Sequence, residues 1–126
     1  MPEETKALSY DILDNSEYLD LAYQIINERK SALNYELGKL SKLDQGLLFF
    51  YFASLDQDTH MFWRAIDPKN PLYTEELARD FGDVLRKLYI EMDKCLGNIL
   101  DLFDINDPNF RLMVMSDHGF APFRRQ

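Results

Sequence analysis

An uninterrupted apolar run of seven residues, Leu47 to Ala53 (LLFFYFA), constrains this chain more than any other feature. Continuous apolar character, without polar alternation, predicts an extended segment buried on both faces, as in the middle of a helix-flanked parallel sheet. Gly46 opens it, and a second apolar stretch, Phe110 to Met115 (FRLMVM), predicts a second strand. Between them Thr74 is a fitting helix N-cap, with Glu75 and Glu76 in the favourable first turn. From Leu77 to Phe103 apolar residues recur at helical spacing, which predicts one helix of about 29 residues, roughly 43 Å long. Gly82 and Gly97 weaken that helix without forcing a break. Two apolar strands joined by a helical crossover form a βαβ unit. The expected fold class is therefore α/β, a parallel sheet with flanking helices.

The amino-terminal third is helical by the same reasoning. After a leading segment, Met1 to Ile12, the residues Asp14 to Glu17 form a variant of the capping box. Leu19, Tyr23 and Ile26 follow at helical spacing, with continuation through Leu33, Leu37 and Leu40, and Ser41 to Gly46 ends the helix. Asp67 to Pro71 and Asn106 to Asn109 read as a loop and a turn.

Composition excludes several functions. Lys and Arg number 14 against 22 Asp and Glu, a net charge of −8, which argues against a nucleic-acid binder that must replace counterions. The apolar run is far shorter than the roughly 20 residues of a membrane helix. The amino terminus carries no basic region followed by an apolar stretch, so no secretory signal is read there. The single cysteine, Cys95, fits a reducing compartment, and a cytoplasmic location is expected.

Chemistry concentrates in two motifs, each predicted to follow the carboxyl end of a strand, where open α/β sheets bind ligands. One is Asp56-x-x-x-His60, read as a loop; the other is Asp117-His118-Gly119. The chain has two histidines, and both lie here. A single histidine is more often a satisfied polar ring than a ligand. Taken jointly, two Asp–His pairs at equivalent strand ends favour ligation, because carboxylate oxygen and imidazole nitrogen are donors that zinc accepts, with iron or manganese as alternatives. Asp58 reads as a third carboxylate or, equally, as a solvated loop residue. Phe62-Trp63-Arg64 reads as aromatics packed under the sheet, Arg124-Arg125 as a solvated basic end, and Cys95 as buried and inert.

The stretch Asp56 to Pro68 (DQDTHMFWRAIDP), followed after a long helix by Met115 to Phe120 (MSDHGF), resembles the alkaline phosphatase superfamily. More narrowly, it is similar to the type I phosphodiesterase/nucleotide pyrophosphatase group and its predicted phosphohydrolase or phosphomutase branch. The resemblance covers about residues 45 to 123. It implies a partial alkaline-phosphatase-like core and a site for two divalent metal ions, zinc or else manganese, with Asp56 and His60 on one and Asp117 and His118 on the other. It also implies a phosphate-ester substrate. Family members add an aspartate, a Ser or Thr nucleophile and a further histidine, and no residue here matches them, so no catalytic residue is assigned. Residues 1–126 are therefore read as a single domain, a fragment of a larger α/β metallohydrolase that is inactive alone and prone to self-association. The alternatives are a non-catalytic α/β interaction module and a piece of a related sulfatase or phosphoglycerate-mutase-like enzyme.

Overall fold

A computed structural model describes residues 5–121. Five α-helices follow in order: α1 (Thr5–Ser9), α2 (Asn15–Leu40), α3 (Ser54–Phe62), α4 (Glu75–Phe81) and α5 (Val84–Leu102), with a 3₁₀ turn at Trp63–Ala65. The amino end of α2 is built as the capping box requires. Asp14 accepts from the amides of Ser16 (2.7 Å) and Glu17 (2.8 Å), and Glu17 Oε2 accepts from the Asp14 amide at 2.9 Å. The helix runs through Leu33 and Leu37 to Leu40 and stops at Ser41.

Two buried clusters lie along this framework. In the first, Leu8 of α1, Tyr18, Ala22 and Ile26 of α2, Phe62 of α3 and Val84, Leu85 and Leu88 of α5 pack together. In the second, Leu33 and Leu37 of α2 meet Cys95 of α5, with Ile99 and Phe103 beside them. Cys95 is buried and its thiol is pushed up by that burial, which keeps it unreactive.

The α/β expectation fails: among the described residues there is no strand and no sheet. Residues 46–53 and 110–115 run without helix or ladder, and no backbone hydrogen bond joins one segment to the other. A strand is defined by its neighbour, because its amides and carbonyls need partners on an adjacent chain. The run Leu47–Phe52 is also not buried on both faces. Leu48, Phe50 and Phe52 pack on the second cluster, whereas Leu47 and Phe49 stay 94% and 77% exposed. Period-two alternation is present in space but hidden in a sequence where both alternating sets are apolar.

The long helix is also two helices. Gly82 and Asp83 interrupt it, and Thr74 caps the first piece by accepting from the Leu77 amide at 3.0 Å. A Cβ at position 82 would stand 2.4 Å from the Ala78 carbonyl oxygen, so the chain turns where only glycine fits. Asp67–Pro71 and residues 106–109 form irregular connections, as expected. The leading segment is not wholly irregular, since α1 buries Leu8. Arg124 and Arg125 lie outside the described residues. No helix among the described residues is long and apolar enough to cross a membrane.

Between α2 and α5, Glu91 accepts from Lys30 Nζ at 2.5 Å and from Lys94 Nζ at 2.6 Å. The hydrogen bonds from Lys30 and Lys94 hold its carboxyl below the usual carboxylate range. A carboxyl depressed in the folded state stabilises fully above its unfolded value, about 4.3, and loses that contribution as pH falls through the folded value. Glu91→Gln should therefore cost about 1 kcal/mol at pH 7. The gap to wild type should narrow as urea unfolding is repeated at successively lower pH below about 4.

Candidate functional site

The site is organised by α3, and its first motif lies on this helix, not in a loop. Asp56 stands in its first turn and His60 in its last, positions that complement the helix dipole. The spacing of four brings both side chains to one face. His60 Nε2 lies 3.4 Å from Asp56 Oδ1. That oxygen is buried and makes no hydrogen bond, so its lone pairs retain acceptor capacity.

Asp58 points the other way. Two residues along a helix rotate a side chain by about 200°, so Asp58 faces the core when Asp56 faces outward. It is fully buried, not a solvated loop residue, and its Oδ1 accepts from the Tyr18 hydroxyl at 3.0 Å. This bond ties α3 to α2. Phe62, also fully buried, packs 5.9 Å from the Tyr18 ring and 5.6 Å from Phe81. The aromatics of Phe62-Trp63-Arg64 thus pack among helices, and no sheet lies above them among the described residues. Arg64 reaches back to Asn15 Oδ1 at 2.7 Å, a second tie to the start of α2.

The second motif follows the extended segment 110–115 in a loop held by its own groups. Ser116 Oγ donates to the His118 carbonyl, and the His118 amide donates to Asp117 Oδ1 at 3.1 Å. His118 Nδ1 lies 2.8 Å from the Gly119 carbonyl oxygen. A carbonyl can only accept, so Nδ1 carries the proton, and in the neutral ring Nε2 holds the free lone pair. Nε2 stands 3.7 Å from Asp117 Oδ2. The Gly119 contact, then Asp117 and more distantly Asp56, raise the His118 pKa above the usual histidine value.

The charge of Asp56 thus acts on the imidazole of the other motif. The motifs also touch through rings: Phe120 packs 5.0 Å from His60 and 5.0 Å from Trp63. In the sequence Phe120 is only the end of a motif, and no local signal there foretells this contact. The donors fit a divalent metal in kind, and the orphaned Asp56 oxygen is a fitting ligand atom. In number they fall short, because no group of three or more His, Cys, Asp or Glu suited to one ion occurs among the described residues.

The sequence profile of the type I phosphodiesterase / nucleotide pyrophosphatase family matches residues 11–126, and the chain belongs to that family. No curated protein and no solved structure matches it.

Because Asp56 and His60 ride on α3, their placement depends on how that helix is anchored. Tyr18→Phe removes one buried donor from Asp58 and should cost about 1–3 kcal/mol. Urea unfolding followed by far-ultraviolet circular dichroism measures the loss.

Proposed function

We propose that the chain carries part of the metal site of a phosphoric-ester hydrolase of the phosphodiesterase/nucleotide pyrophosphatase kind, acting on a phosphate-ester substrate. One observation carries the reading: a family member has both its histidines, each with an aspartate, in motifs that meet across α3. Asp56 and His60 would hold one divalent ion, and Asp117 and His118 a second, with zinc preferred over manganese on donor type. Ions held by these pairs would supply positive charge for the attacking and departing oxygens of a displacement at phosphorus. His118, with Nδ1–H turned to Gly119, offers Nε2 as its ligating nitrogen.

Two donors are too few for a tight structural site, so each ion needs further ligands from water, substrate or additional protein segments. No residue in the chain is assigned as nucleophile, and the isolated polypeptide should turn over an aryl phosphate ester far more slowly than a complete enzyme. The single buried thiol supports a cytoplasmic setting. The chain is then a single domain of a larger enzyme whose other segments complete the ligand set.

Equilibrium dialysis against zinc chloride, with bound metal counted, tests the site. Wild type should retain zinc that Asp117→Ala and His60→Ala lose by about tenfold or more in affinity. Equal retention in all three would sink the assignment.

The same reading includes self-association. The outward side of residues 47–52 combines exposed Leu47, Phe49 and Tyr51 with backbone groups that have no ladder partner among the described residues, a surface that pairs with other chains. Sedimentation equilibrium should show mass rising with concentration, and Phe49→Lys should suppress the rise. A wild-type monomer at all concentrations would refute this part.

A further inference from the structure

Residues Met113 to Gly119 are all exposed, and the hydrogen bonds described above for Ser116, Asp117 and His118 stay within their own loop. At Phe120 the chain turns inward and becomes half-buried. Its ring meets the His60 imidazole edge-on, at 69° between planes, and lies against the Trp63 indole at 37°, both at a centroid separation of 5.0 Å. His60 and Trp63 are three residues apart, one turn along the end of α3 and into the 3₁₀ turn, so they form two walls of one notch. Centroid separations of about 5 Å and tilted planes are the arrangements that the aromatic quadrupole favours.

We propose that Phe120 is a positioning residue: its ring, seated in the notch between His60 and Trp63, fastens the Asp117–His118 loop to α3 and so sets the spacing of the two Asp–His pairs. Phe120 makes no bond to metal or substrate. It acts through the backbone of a loop whose donor residues lie two and three positions earlier, with Gly119 between. It also packs against the His60 ring itself. The consequence for metal affinity rests on the proposed function, whereas the fastening itself does not.

Trp63 is the chain's one tryptophan, so its fluorescence reports the notch with no metal present. In the metal-free full chain, Phe120→Ala should shift Trp63 emission to the red and raise acrylamide quenching at least twofold. Amide hydrogen exchange in residues 113–120 should accelerate, with the helical circular dichroism unchanged. Phe120→Tyr, which keeps the ring, should restore all three properties to near wild type. Asp117→Ala, which leaves the ring in place, should leave Trp63 emission as it was. With zinc, Phe120→Ala should weaken binding about tenfold and Phe120→Tyr should recover it. Unchanged quenching and exchange in Phe120→Ala would overturn the proposal. So would zinc affinity left intact after the notch has opened. A wild-type chain that takes up no zinc would refute the proposed metal site alone, and the fluorescence and exchange results would still decide the role of Phe120.

Discussion

The hydroxyl of Tyr18, donated to Asp58 inside the core, is the interaction on which the arrangement around α3 depends. A nine-residue helix is too short to hold itself together in water, so α3 exists by virtue of what it packs against. Phe62 supplies the apolar part of that packing and Asp58 the polar part. Burying a carboxyl is costly without a donor, and Tyr18 supplies one from α2. With Asp58 and Phe62 turned inward, helical geometry leaves Asp56 and His60 on another side, free for chemistry. The core therefore orients the face of α3 that carries the candidate donors.

The two extended segments show how far side-chain packing can organise a chain without a backbone ladder. Leu48, Phe50 and Phe52 seat on Leu33, Leu37 and Cys95. In the other segment, Phe110 stacks on Phe103 at 5.2 Å, with the rings nearly parallel. The first segment is thus fixed to α2 and α5, and the second is held at the carboxyl end of α5. Leu47 and Phe49 stay exposed in the first segment, and Met113, Val114 and Met115 in the second. Uncharged exposed carbon beside backbone without a ladder partner among the described residues sets these regions apart from the heavily charged outer faces of α4 and α5.

Family membership and helical architecture bear on different levels of description. Residues 11–126 carry the sequence pattern of type I phosphodiesterase / nucleotide pyrophosphatase proteins. The proposed site consists of two Asp–His pairs of unlike construction. One is set on a rigid helix, four residues apart; the other lies in adjacent positions on a loop whose shape comes from its own hydrogen bonds. A helix-borne pair has its spacing built in, whereas a loop-borne pair needs an external restraint to hold a fixed distance from it. The Phe120 ring contact is where the structure supplies one.

Local chemistry was legible in the sequence wherever a few neighbouring residues suffice. Asp14 and Glu17 cap α2, Thr74 caps α4, apolar spacing marks α2 through Leu37, and the buried inertness of Cys95 follows from its place on an apolar helix face. The pairing of each histidine with an aspartate was equally plain. The βαβ topology was not, because a ladder is a relation between distant segments and an apolar run cannot specify its partner. Nor was the break at Gly82, since helix propensity treats that glycine as a modest cost, while the crowding against Ala78 arises only from the folded geometry. The inward turn of Asp58 and the meeting of Phe120 with His60 and Trp63 were likewise tertiary outcomes. The sequence by itself determined which groups are available and how they sit within one turn of helix. Which face each group presents, and which distant group it meets, was decided by packing, because contacts across 40 or 60 residues depend on the whole core closing at once.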